Sequence, residues 1–79
     1  MDMAEEAKVF DFRGMQCPIP VFETSKAIKQ VGIGEEICVM ANDPAAKPDL
    51  QAWSKRTGHE IMSIEESGDY ISLKIKRAH

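Results

Sequence analysis

Val9-Phe10-Asp11-Phe12-Arg13-Gly14-Met15-Gln16-Cys17-Pro18-Ile19-Pro20 carries a strand, a loop and a helix start in direct succession. Over Val9 to Phe12, Phe10 and Phe12 share one face, the period of a half-buried strand. Arg13-Gly14-Met15-Gln16 reads as a loop, with Gly14 free to take a conformation that other residues resist. Proline then announces a helix, because at the first helical position its missing N–H has no partner to lose. If Pro18 is that residue, Cys17 is the N-cap and its thiol sits at the positive end of the helix dipole. Such a position is one of the environments that lower a cysteine pKa and favour the thiolate. Pro18 and Pro20 supply no N–H, so the Ile19 amide is the donor the Cys17 sulfur is expected to find. The alternative is that Cys17 is simply a small buried hydrophobe.

Beyond this stretch the hydrophobic period switches repeatedly. Pro18 to Val31 predicts a helix, with Val21, Thr24, Ala27, Ile28 and Val31 in one stripe and Lys26, Lys29 and Gln30 facing away. Phe22 falls off the stripe, either under a loop or exposed beside the thiol. Gly32-Ile33-Gly34 is expected to end the helix. Glu36 to Ala41 is a strand, and Asn42-Asp43-Pro44 a turn. A second helix is placed at Pro48 to Thr57, since a residue before proline resists helical geometry; Ala46, Leu50, Trp53 and Thr57 face inward and Gly58 caps it. Glu60 to Glu66 is a strand with Met62 and Ile64 inward. Ser67-Gly68-Asp69 is a hairpin turn. In Tyr70 to Lys76, Ile71, Leu73 and Ile75 point one way and Tyr70, Ser72, Lys74 and Lys76 the other.

The order β-α-β-α-β-β contains two crossover units, so the first three strands should run parallel and the fourth antiparallel to the third. Polar outer faces on the last two strands suggest that both helices cover one side of the sheet. The expected architecture is an α+β two-layer sandwich, with Cys17 where the first strand hands over to the first helix.

Seventy-nine residues make one domain, near the lower limit for a self-sufficient core; residues 1–7 are expected to be flexible. Two cysteines are too few for a disulfide scaffold and fit a reducing compartment. No apolar run is long enough to span a membrane, and the short acidic N-terminus is not signal-like, so a cytoplasmic location is expected. With 10 basic and 13 acidic residues the net charge is −3, which speaks against a sequence-independent nucleic-acid binder. No long apolar surface demands an oligomer, and a monomer is expected.

From Asp11 to Pro20 the chain resembles the signature of the TusA/SirA family of small sulfur-carrier proteins. The likeness continues through Gly34-Glu35, Ala41-Asn42-Asp43-Pro44, Asp49 with Ala52-Trp53, and Thr57-Gly58-His59-Glu60 to the closing hairpin. It implies a mixed four-stranded sheet in the order 1-2-4-3 with two helices on one face. It also implies that Cys17 accepts sulfane sulfur as a persulfide and passes it to another protein's cysteine. The sulfur donor would be a pyridoxal-phosphate-dependent cysteine desulfurase or another source, and the sulfur would go to tRNA thiolation, cofactor synthesis or sulfur oxidation. The chain departs from the family where Pro48 replaces a frequent arginine, which bears on partner choice, and where Asn42 replaces a frequent aspartate.

The covalently held sulfur is then the sole cofactor expected. Gly14, Pro18, Ile19 and Pro20 shape the site. Asp11 and Arg13 either support the anionic sulfur or only order the loop, and Lys26 is a candidate docking residue. No obvious general base is present, and an ionised sulfur would need none. Cys38 is read as a packed or open-face strand residue, because nothing near it supplies a positive field; the alternative makes it a redox partner of Cys17. His59 is expected to serve the helix end and terminal His79 to be mobile. With neither cysteine nor histidine at zinc-binding spacing, no metal is expected. A rival from another class is a regulatory or RNA-binding module of the same fold, which resembles the C-terminal domain of a bacterial translation initiation factor.

Overall fold

The last strand sets the sheet. Ile71, Leu73 and Ile75 alternate with polar residues along β4 (Tyr70–Lys76), and Leu73 and Ile75 are fully buried. β4 lies between β2 (Glu36–Ala41) and β3 (Glu60–Ser67) and is antiparallel to both, pairing Val39 with Leu73 and Ile64 with Leu73. β1 (Lys8–Asp11) runs parallel to β2, with Phe10 opposite Val39, so the order is β1-β2-β4-β3 as expected. The computed structural model describes residues 8–79; the expected flexibility of 1–7 lies outside them.

Helices α1 (Ile19–Ala27) and α2 (Ala46–Thr57) cover one face. Their Ala27, Leu50 and Trp53 join Phe12, Ile37, Val39, Leu73 and Ile75 in a single buried cluster. The Trp53 indole N–H donates to Ser25 Oγ at 2.8 Å, which ties the helices together without stranding a buried polar group. No helix among the described residues is long and apolar enough to cross a membrane.

Several element boundaries and inward faces differ from those expected. The first helix does not run to Val31: it tightens into a 3-10 turn at Ile28–Gln30, and Val31 is already extended. Gly34, at φ +91°, makes the left-handed turn into β2 rather than ending the helix. The second helix begins at Ala46, two residues early, because Pro48 falls within the first turn, where its absent N–H would have no partner. In β3 a bulge between Ile61 and Ser63 resets the alternation. Ile61 and Ile64 therefore pack on the core, and Met62 is thrown outward at 45% exposure.

His79 is not free. Its Nε2 lies 2.7 Å from the Thr57 carbonyl, and its ring stacks on His59 at 4.6 Å. His59 is buried against Trp53 and accepts the Ala78 N–H on Nδ1 at 3.0 Å. Burial, then the neighbouring His79 and Arg77, push the His59 pKa below its ordinary value, so the ring stays neutral.

The bulge gives a direct test. Met62→Ser should change stability by less than about 0.5 kcal/mol, whereas Leu50→Ala, which empties a fully buried site, should cost about 2–5 kcal/mol. Urea unfolding followed by circular dichroism checks both, and a large loss from Met62→Ser would place that side chain in the core after all.

Candidate functional site

Parallel pairing of β1 with β2 sends both strands out at the same edge of the sheet, so the loops that follow them must meet. The Phe12 N–H donates to Met40 O at 2.8 Å and carries the pairing one residue past the strand. Asn42 Oδ1 then accepts the Gly14 N–H at 2.9 Å, where Gly14 turns left-handed at φ +90°. Asp43 uses both carboxylate oxygens. Oδ1 accepts the Ala45 N–H at 2.8 Å and sets the entry to α2; Oδ2 accepts the Cys17 N–H at 2.9 Å. These bonds favour the ionised carboxylate and hold the Asp43 pKa below its ordinary value, the Ala45 bond contributing most.

Cys17 sits in the turn ahead of α1 with its side chain exposed, and its peptide bond to Pro18 is cis. The expected geometry of the helix tip needs correction. Pro18, not Cys17, is the N-cap, so the cysteine stands one residue outside the helix. The Ile19 N–H does not point at sulfur: it donates to Gln16 O at 2.8 Å, and the Val21 N–H donates to Pro18 O at 3.1 Å. With Pro18 and Pro20 supplying none, the first-turn donors are spent on backbone carbonyls.

The sulfur instead meets an acid. The Cys17 thiol donates to Asp49 Oδ2 at 2.6 Å, from the first turn of α2. That bond, helped by partial desolvation and by the charges of Asp49 and Asp43, pushes the Cys17 pKa up. The helix dipole alone predicts a lowered pKa; the structure instead sets the sulfur one residue outside the helix, without the Ile19 amide and against Asp49, and the shift is upward. Cys17 at rest is an accessible, protonated thiol.

Of the other residues singled out from sequence, Pro20 is buried in the first turn of α1, while Ile19 is 45% exposed and Phe22 is 59% exposed on the same helix. Arg13 does not engage the sulfur. Its Nε and Nη2 donate to the two oxygens of Asp11 at 2.9 and 2.8 Å, and its guanidinium lies 5.1 Å from the centroid of the Tyr70 ring. Lys26 is exposed and pairs with Glu23 at 3.5 Å. Cys38 is a free, half-buried thiol on β2, on the sheet face opposite the helices; burial pushes its pKa up, and Lys74, its partner across on β4, opposes that shift, so the expectation of no positive charge near it is corrected. Asp49 is the residue that sequence reasoning passed over as a site group. Its signal was present: a carboxylate in the first turn of the helix following β2 stands at the same sheet edge as the loop following β1.

Residues 8–77 match the family described as "Sulfurtransferase TusA". The chain belongs to the TusA sulfurtransferase family. It is 32% identical over 76 residues to the sulfur carrier protein TusA of Allochromatium vinosum, covering 96% of this chain and 100% of the other. It is 39% identical over 70 residues to YrkI of Bacillus subtilis, covering 89% and 93%. The crystal structure of a SirA-like protein from Desulfitobacterium hafniense has a TM-score of 0.75 at 25% identity, covering 90% of this chain and 97% of that one. Membership in the TusA family gives the chain a part in sulfur relay, and the SirA-like structure shares its fold.

The Asp11–Arg13 pair is testable on its own. The hydrogen bonds from the Arg13 side chain and backbone pull the Asp11 carboxyl down to about 2. Because the folded value is depressed, the pair stabilises the fold above the ordinary carboxylate value of 3.8 and loses that effect as pH falls toward about 2. Carboxyl-carbon NMR should place the Asp11 midpoint near 2 and show Arg13→Ala returning it toward 3.8; an unchanged midpoint would contradict the bidentate contact.

Proposed function

We propose that this protein carries sulfane sulfur on Cys17 as a persulfide, taking it from a donor protein's persulfide and delivering it to an acceptor cysteine. The observation that carries the reading is the exposed Cys17 thiol, fixed through its backbone N–H by Asp43 and open to solvent. Family membership supports a sulfur-relay role, and the chain matches the carrier of Allochromatium vinosum over that carrier's full length.

The transfer is thiol–disulfide chemistry. The Cys17 sulfur, once deprotonated, attacks the outer sulfur of the donor persulfide. A Cys17–sulfur bond forms, the donor's sulfur–sulfur bond breaks, and its electron pair leaves on the donor cysteine. The proton lost by Cys17 ends on that departing thiol, so an anionic donor persulfide and a neutral Cys17 become a neutral donor thiol and an anionic Cys17 persulfide. Cys17 is oxidised to the persulfide level as the donor cysteine is reduced. Delivery is the same step with the acceptor cysteine as nucleophile. Pro18 and Pro20 stiffen the chain at the sulfur, and Gly14 with Asn42 shapes the loop beside it. A single cysteine suffices, and no cofactor other than the covalently held sulfur is invoked.

A cysteine desulfurase with cysteine supplies such a donor persulfide, and thiosulfate is a small-molecule source from which transfer of the outer sulfur to the Cys17 thiolate releases sulfite. After incubation with each, intact mass and peptide mapping should find one added sulfur atom on Cys17 from at least one of them. Cys17→Ser should abolish that adduct while Cys38→Ser preserves it. Sulfur on Cys38 alone, or loss of loading in Cys38→Ser, would overturn the assignment and favour a two-cysteine redox device.

A further inference from the structure

The contact between sulfur and carboxylate has a consequence for how the carrier holds its cargo. We propose that Asp49 sets the balance between the empty and loaded states of Cys17, favouring the empty thiol and so tuning the carrier for release. Asp49 is a positioning residue here: it touches the carrier sulfur and forms no bond to the sulfur being moved. The inference rests on the reading of Cys17 as the carrying residue.

The effect is electrostatic. In the empty state Cys17 is a hydrogen-bond donor, and Asp49 Oδ2 accepts from it at 2.6 Å. A persulfide is a stronger acid than the thiol it came from and is anionic at neutral pH. It has no proton to give Asp49, and its charge faces two carboxylates instead. Loading therefore exchanges a favourable donor–acceptor contact for repulsion.

Among the described residues no cation is paired with the acids at the sulfur. Arg13, Lys47 and Lys26 are paired with other acids, Asp11 at 2.8 Å, Glu66 at 2.7 Å and Glu23 at 3.5 Å. Among the described residues neither Asp43 nor Asp49 has an ion-pair partner. Asp43 has both its oxygens occupied by backbone N–H groups, which spread its charge and fix its place. Asp49 is the acid whose contact is with the sulfur itself, so it is the one whose removal should be felt there.

In the test reaction, glutathione persulfide and Cys17 exchange sulfur: the neutral Cys17 thiol becomes the anionic persulfide, and the anionic glutathione persulfide leaves as the neutral thiol. Atoms and charge balance, and the equilibrium reads the cost of placing an anion at Cys17. The experiment equilibrates the full chain and its Asp49→Asn variant with glutathione persulfide and glutathione at a fixed ratio near pH 7. Peptide mass mapping then gives the loaded-to-empty ratio at Cys17. Asp49→Asn should raise that ratio about fivefold, the scale of one partly screened charge contact. In parallel, the pH profile of Cys17 alkylation by iodoacetamide should move to lower pH in Asp49→Asn, a shift that a merely structural role for Asp49 would not produce. Asp49→Ser, which also removes the charge, provides the same two readouts if the asparagine variant fails to fold. Equal or lower loading with an unmoved alkylation profile overturns the inference alone. Absence of sulfur at Cys17 in every variant overturns the carrier reading and the inference with it.

Discussion

The parallel pairing of β1 with β2 is the constraint on which the site depends. Because both strands exit at one edge, the loop that carries Cys17 and the loop that starts α2 are forced into contact. Asp43 then joins them with one carboxylate, one oxygen on each loop. Asn42 repeats the arrangement one residue earlier by holding Gly14. The cysteine is thus presented by neighbouring loops more than by its own helix, and the rest of the sheet serves to hold that edge still. β4 does this by pairing on both sides, with Leu73 and Ile75 fully buried beneath the helices.

This placement reconciles exposure with restraint. An accessible thiolate would react with any passing disulfide or electrophile, since the thiolate is the nucleophilic form. Cys17 is accessible, yet its hydrogen bond to Asp49 keeps it protonated at rest. A relay protein needs its sulfur to be taken as well as received, and a site that bound an anionic persulfide tightly would slow the second half of the cycle. On the proposed persulfide reading, the carboxylates around Cys17 suit transient holding. The exposed apolar side chains of Ile19 and Phe22 lie on the same helix just beyond the cysteine, so the surface around the thiol is not uniformly polar.

Most of the scaffold was legible from sequence. The alternation in Tyr70 to Lys76, the near-continuous apolar run from Glu36 to Ala41 and the proline-marked helix start each correspond to an observed element, because in each the local period and the tertiary environment agree. The misreadings occur where they do not. One extra residue in β3 reverses the inward face, and no single-strand pattern reveals a bulge whose partner is the register of β4. Lys47 is helical although it precedes proline, because Asp43 starts the turn ahead of it and Pro48 arrives before an N–H is needed. The site was half legible. Cys17 stands out by its prolines, but its electrostatics are decided by Asp49, distant in sequence and brought close only by the crossover. A dipole argument drawn from the helix alone leaves out that acid, whose contact pushes the Cys17 pKa the other way.

The central claim is that Cys17 carries the sulfur and that its bond to Asp49 belongs to the empty state. The most direct measurement is a crystal structure of the persulfide-loaded protein, with the added sulfur located by its anomalous signal. The account predicts one extra sulfur bonded to Cys17 Sγ, with the Asp49 carboxylate turned away from it and the Asp43 bond to the Cys17 N–H intact. A loaded sulfur sitting within hydrogen-bonding distance of Asp49, or bonded to Cys38 in place of Cys17, would contradict it.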